Sequence, residues 1–270
     1  MYPKTSVIVT TYNQKERLAL VLDSLLCQSV QPSEILIADD GSREDTRALI
    51  EQYIASASTK ILHVWQEDMG FRLSEIRNKA LQQASGEYVI FLDGDMIVHR
   101  DFVRDHITFA RQNVLLQGIR VLLDEEKTQA ILKKKDFSLA FQTFALKAFR
   151  ILFLAHQIYQ KKHYNKSHLN LTKFLPIRGC NMSFFKKDAE KINGFNEDFR
   201  GWGREDSEFV ARFLYAGGEV RYLKFAGIAY HLYHQENSRD MLAQNHAIYE
   251  DCIKNGHTTC ANGLKKTNLF

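Results

Sequence analysis

Four short apolar runs, "SVIVT" (6–10), "EILIA" (34–38), "KILHVW" (60–65) and "YVIFL" (88–92), are each followed by a stretch whose apolar residues recur at helical spacing. After the first, "KERLALVLDSLLCQ" sets Leu18, Val21, Leu22, Leu25 and Leu26 along one face; "REDTRALIEQYI", "LSEIRNKALQQA" and "RDFVRDHITFA" follow the others. Apolar side chains returning every three or four residues mark an amphipathic helix, and short β-branched runs bounded by polar turns mark strands. Strands alternating with helices build β-α-β units, so the expected fold class is α/β, a Rossmann-like, mostly parallel sheet with helices on both faces. Ligands of such open sheets bind outside the carboxyl ends of the strands. The first, second and fourth runs end in "TTYN", "DDGS" and "DGD", which places three polar clusters on one rim.

A chain of 270 residues with 45% apolar and 25% charged residues suits one large folded domain and excludes general disorder. Its net charge of +4 is unevenly placed: between Lys133 and Lys173 there are nine Lys and Arg against the single acid Asp136, a net of +8, which leaves −4 for the rest. The expected organisation is therefore a first half over 1–124, a basic, aromatic helical insertion over 125–173, a second half of the same domain over 174–240, and a tail over 241–270 whose last fifteen or so residues are loose. Within the insertion, Phe137, Phe141, Phe144, Ala148, Ile151 and Ala155 fall on one helical stripe. Such a helix either lies on an anionic membrane surface or packs on the core with its lysines solvated. Nucleic acid is not an expected partner, because the segment carries no reading motif and the remainder is acidic. Cys27, Cys180, Cys252 and Cys260 are scattered without C-x-x-C spacing, which reads as free thiols in a reducing compartment. The opening "MYPKTSVIVTTYN" enters a strand at once and no apolar run is long enough to span a bilayer, so the expected location is cytoplasmic, peripheral on the inner face of the plasma membrane if the insertion binds lipid.

The chemistry concentrates in three places. Asp93 and Asp95, one residue apart at the end of an apolar strand, suit a hard divalent cation such as Mg²⁺ or Mn²⁺, which offsets their repulsion. In "AYHLYH", His231 and His234 stand near a strand end and either one could join that site. In "GWGREDSEF", Glu205 and Asp206 open a helix, whose positive end favours negative charge. Plainer readings are an acidic turn for Asp93 and Asp95, structural roles for the histidines, and a helix cap over a core tryptophan for Glu205 and Asp206; likewise Asp39 and Asp40 can cap the helix near Arg43, Arg77 can pair with a surface acid, and Gly179 can make a tight turn.

"SVIVTTYNQKERLALVLDSLLCQ", "ILIADDGSREDT", "IRNKALQQASGEYVIFLDGD" and "GWGREDSEF", in this order, resemble a family 2 glycosyltransferase of the GT-A fold. The latter half is similar to the carboxyl-terminal module of galactosyltransferases and bacterial chondroitin-polymerase-type enzymes, and only the middle basic segment is unmatched between Thr5 and Asn237. The resemblance implies a nucleotide-sugar-binding first half and an acceptor-binding, catalytic second half. It implies a metal-dependent inverting transferase acting between a UDP-sugar donor and a glycan or lipid-linked glycan acceptor. Carried over by position, Thr10, Thr11 and Tyr12 border the nucleotide, and Asp40, with Asp39 beside it, accepts from uracil. Arg77 lies near the nucleoside and diphosphate, Asp93 contacts ribose or sugar, and Asp95 is the principal metal ligand, joined by His234 or His231. Gly179 and Asn181 border the donor sugar. Asp206 is the catalytic base, Glu205 an acceptor-binding partner and Trp202 an apolar platform for a sugar ring. A scaffold that binds a nucleotide sugar without turnover is the alternative, which the intact Asp206 disfavours.

Overall fold

The computed structural model describes residues 2–142, 177–235 and 238–266. β1 (Thr5–Thr11), β2 (Glu34–Asp39), β3 (Lys60–Trp65) and β4 (Tyr88–Asp93) alternate with α1 (Lys15–Leu26), α2 (Glu44–Ser56) and α3 (Leu73–Gln83), as the periodicity predicts. β5 (Met96–Val98), α4 (Phe102–Thr108), β6 (Val114–Gln117), β7 (Ile119–Leu122) and α5 (Glu125–Lys134) follow. The second half brings β8 (Asn181–Phe185), α6 (Lys186–Lys191), α7 (Glu205–Tyr215), β9 (Glu219–Tyr222), β10 (Ile228–His231) and α8 (Leu242–Asn255).

Seven strands form the main sheet in the order β3-β2-β1-β4-β8-β6-β9. Strands β1 to β4 pair parallel and β8 pairs antiparallel with both β4 and β6. Alternation along β1 sends Val7 and Val9 into one apolar layer with Leu18, Val21 and Leu22 of α1, and Ile8 into the other with Ile76, Ala80 and Leu81 of α3. Burying both faces is what requires near-continuous apolar strands rather than alternating ones. The chain leaves β1 toward β2 on one side and returns to β4 on the other, so the strand order reverses between β1 and β4, where an open α/β sheet forms its crevice. Thr10 pairs in register with Asp93 and Thr11 with Asp39, which puts the three polar clusters on one rim.

A second, three-stranded sheet, β5-β10-β7, stands beside this rim. Its register sets His231 opposite Met96, one residue from Asp95. Phe137–Gln142 forms a 3-10 helix rather than the start of an α-helix, and Phe141 packs 5.5 Å from the Tyr230 ring. The rest of the expected stripe, Phe144 to Ala155, lies outside the described residues. Among the described residues no helix is long and apolar enough to cross a membrane.

The segment read as a loose tail is held in place to Lys266. α8 packs on α7, and the Asn193 side chain donates to the Cys260 and Lys265 carbonyls (2.8 and 2.9 Å) and accepts from the Lys265 N–H (2.8 Å). Asn193 sits at φ 66°, a left-handed conformation that asparagine tolerates better than most residues.

Candidate functional site

The first element of the site is the turn after β4. The Gly94 N–H donates to the Thr10 carbonyl at 2.7 Å, and a Cβ built on Gly94 would lie 2.6 Å from that oxygen, so only glycine fits between the two aspartates. The turn sends the two carboxylates to different partners. Asp93 Oδ1 accepts from Thr10 Oγ1 (2.9 Å) and from Arg77 Nη2 (3.4 Å). Burial pushes the Asp93 carboxyl above its ordinary range, with Arg77 pulling it down and Asp95 pushing it further up. Asp95 Oδ2 lies 3.1 Å from His234 Nε2 and 3.5 Å from His231 Nε2.

Asp95, His231 and His234 each turn one ligand atom to a common point, all within 4.8 Å of one another; among the described residues Asp93 does not join them. The buried Asp95 Oδ1 has no hydrogen-bond partner. A buried carboxylate oxygen left unpaired is costly, and a cation would satisfy it. One carboxylate with two imidazoles is a mixed oxygen and nitrogen donor set that suits a divalent transition-metal ion. His234 Nδ1 donates to the Gln235 carbonyl at 2.7 Å, which orients the ring with Nε2 toward Asp95, as an outer partner does for a metal-binding histidine. The Asp95 hydrogen bond raises the His234 pKa, whereas burial lowers that of His231. The histidine segment is pinned by two contacts that no sequence pattern announced: Arg17 Nη2 donates to the Tyr233 carbonyl (3.1 Å), and the Tyr233 N–H donates to Thr128 Oγ1 (2.9 Å).

At the end of β1, Thr11 Oγ1 is buried without a partner and Tyr12 is exposed, its hydroxyl donating to Asp68 Oδ2 at 3.0 Å. Asp40 is buried and holds the loop after β3, accepting from Gln66 Nε2 and from the Arg72 N–H (2.8 Å); burial raises its pKa. Asp39 is fully buried, accepting from the Ser42 N–H (2.8 Å) and from His63 Nε2 (2.9 Å). The α2 N-cap is Arg43, with no side-chain cap, so neither aspartate caps that helix directly.

Asp206 and Glu205 open α7. Asp206 Oδ2 accepts from the Gly179 N–H (3.0 Å), and Oδ1 accepts from the Ser207 N–H (2.7 Å). Glu205 is buried against Arg77 Nη1 (3.2 Å), and burial with the neighbouring Asp206 charge pushes its pKa up to about 7. Trp202 is half-buried under the Arg239 guanidinium, 5.5 Å from the ring centroid. The two halves meet at residues 179 and 180. The Cys180 carbonyl accepts from the Asp93 N–H, and burial with the charges of Asp93, Asp95 and Asp206 pushes the Cys180 thiol up.

Two expected residues lie in the wall rather than the cleft. Arg77 is 1% exposed behind Gly179. Asn181 is 0% exposed; its Nδ2 donates to the Ile119 and Gly227 carbonyls (3.0 and 2.8 Å), so its Oδ1 accepts from His106 Nε2 (3.1 Å). His106 Nδ1 then accepts from Ser183, which accepts from Tyr88. Burial drops the His106 pKa to about 3, so the ring is neutral in this chain of bonds.

The profile described as "Glycosyl transferase family 2" matches residues 6–190, and that described as "N-terminal domain of galactosyltransferase" matches residues 161–235. A chondroitin synthase from Escherichia coli is 30% identical over 243 residues, covering 84% of this chain and 34% of the relative. The chain thus spans about a third of that protein's length. Among solved structures, the mannosyltransferase PcManGT from Pyrobaculum calidifontis in complex with GDP-Man and Mn²⁺ superposes with a TM-score of 0.63 at 17% identity, over 94% of this chain and 65% of that one. TarS 1–349 from S. aureus in complex with UDP superposes with a TM-score of 0.60 at 19% identity, over 93% of this chain and 66% of that one.

Proposed function

The chain belongs to glycosyl transferase family 2 and is a glycosyltransferase on a GT-A fold; from this premise we propose that it moves a hexose or N-acetylhexosamine from a UDP-sugar to a glycan hydroxyl. The acceptor is a surface glycan of lipopolysaccharide or capsule type, and the anomeric carbon is inverted. The observation that carries this reading is the convergence of Asp95, His231 and His234 beside a strand-end crevice into whose wall Asp206 is tied through Gly179.

The residues divide the work as follows. Thr10, Thr11 and Tyr12 line the nucleotide side, and Asp40 sets the loop against which the base rests. Asp93, braced by Thr10 and Arg77, faces the ribose or sugar. Asp95 with His231 and His234 would hold Mn²⁺ or Mg²⁺, which supplies positive charge against the departing diphosphate. Trp202 supports the acceptor ring. As the acceptor oxygen bonds to the anomeric carbon and the bond from that carbon to UDP breaks, the hydroxyl proton passes to Asp206. That carboxylate keeps lone pairs free beyond its bonds to Gly179 and Ser207. Phe137 and Phe141 pack on the core, and the lysines and arginines of 133–173 either stay solvated or draw the enzyme to an anionic membrane surface that carries a lipid-linked acceptor.

The test is UDP release from UDP-glucose, UDP-galactose, their N-acetylated forms and UDP-glucuronate, with Mn²⁺ or with chelator. Slow metal-dependent release from one donor is expected, absent in Asp95→Ala. Asp206→Ala retains UDP affinity without turnover. UDP binding that is equal in the wild type and Asp95→Ala would refute the metal assignment, and donor binding with no turnover in any acceptor screen would favour a scaffold.

A further inference from the structure

Among the described residues Arg77 bridges the two sides of the cleft, and the chemistry above gives it no contact with substrate. Its guanidinium lies 5.2 Å from the Phe195 ring centroid, and a Cβ on Gly179 would fall 2.8 Å from Nη2. The residue is 1% exposed, so it stands in the wall behind these two residues. Nη2 donates to Asp93 Oδ1 (3.4 Å), the same oxygen that Thr10 Oγ1 holds at 2.9 Å, while Nη1 donates to Glu205 Oε1 (3.2 Å). One fork therefore joins the end of β4, 16 residues away in sequence, to the first residue of α7, 128 residues away. Both carboxylates are drawn to a single positive charge, so a stronger grip on one weakens the other.

We infer that Arg77 is a positioning residue that couples the donor side of the cleft to the acceptor side by holding Asp93 and Glu205 on one buried guanidinium. This rests on the proposed roles of Asp93 toward the donor and Glu205 toward the acceptor. The planar fork is essential to it, because two separated carboxylates are met by two parallel-set amino groups, which a lysine's single ammonium cannot reproduce. The glycine at 179 belongs to the same device: any side chain there displaces the fork.

The test is a double-variant cycle on the full chain, read in two ways. In thermal unfolding at neutral pH, Arg77→Gln strands two buried carboxylates and melts early. Adding Glu205→Gln removes one of them and is expected to raise the melting temperature by more than the same substitution raises it in the wild type. The second reading is UDP affinity with Mn²⁺ by calorimetry. Glu205→Gln, on the acceptor side, is expected to weaken UDP binding roughly threefold or more in the wild type and by less than about twofold in the Arg77→Gln background. A purely structural arginine predicts no change in UDP affinity from Glu205→Gln. Where Arg77→Gln does not fold, Gly179→Ala takes its place, since it displaces the guanidinium and leaves both carboxylates intact.

Equal thermal gains in the two backgrounds, or a UDP effect of Glu205→Gln that persists without Arg77, would overturn the inference. A wild type that fails to bind UDP with Mn²⁺ would instead count against the proposed donor, and the thermal cycle then decides the bridge alone.

Discussion

Glu205 makes the stability of this protein depend on pH in a direction opposite to that of a surface carboxylate. Its pKa is pushed from 4.5 to about 7, first by burial and then by the Asp206 charge, with Arg77 offsetting only part of both. A carboxyl whose folded pKa exceeds its unfolded value binds its proton more tightly in the native state. Its contribution is therefore fully present below pH 4.5 and is lost as pH rises through about 7. At about 1.4 kcal/mol per pKa unit, a gap of this size corresponds to about 3 kcal/mol at most. Glu205→Gln mimics the protonated form and removes the dependence. The assay is denaturant unfolding of the wild type and Glu205→Gln at pH 5 and pH 8. The variant is expected to gain about 2 to 3 kcal/mol relative to the wild type on going from the lower pH to the higher. Using the difference between the two proteins cancels the histidines. Parallel curves for the two proteins would refute the reasoning and mean that Arg77 fully compensates the ionised acid.

Other consequences follow from individual contacts. Asn181→Ala leaves the His106 N–H without its partner and takes one donor each from the Ile119 and Gly227 carbonyls, the latter still accepting from the Ile119 N–H, and is expected to cost about 1 to 3 kcal/mol in the same unfolding assay; no measurable loss would mean that water replaces the amide. Gly94→Ala drives a Cβ against the Thr10 carbonyl, and is expected to cost about 1 to 3 kcal/mol by thermal melt and to weaken metal-dependent UDP binding, since it moves both aspartates. Flotation with anionic liposomes at moderate salt checks the membrane role of 133–173: binding that falls as salt rises is expected, and no binding at all would remove that role.

The fold was legible because its signals are local. A period of three or four residues, a β-branched run and a polar strand end are each written within a dozen positions, and the sheet follows from their alternation. The rim was legible for the same reason, since parallel strands that begin together must end together. What could not be read was set by distant pairing. That His234 or His231 would stand near Asp95 was expected; that both do so is set by β10 pairing antiparallel with β5, which the sequence does not show. Asn181 was placed beside the donor sugar by the resemblance of "RGCNMSFF" to that segment of the family. It is instead the register pin of β8, its partners at Ile119 and Gly227 lying 62 and 46 residues away. The tail looked loose because its anchor, Asn193, lies 67 residues from Cys260.

The two aspartates of "DGD" show the difference most clearly. Their spacing alone suggests that both carboxylates converge on one cation, which would be the cheapest way to quiet their repulsion if they pointed together. They do not point together: the Gly94 turn, closed onto the Thr10 carbonyl, aims Asp93 at Thr10 and Arg77 and Asp95 at the two histidines. Asp93 thus meets a cation of the protein itself, whereas one Asp95 oxygen is buried with no hydrogen-bond partner. The short motif specifies that two negative charges stand at the strand end, but an arginine on α3 and a strand at the other end of the chain decide which partners each of them meets.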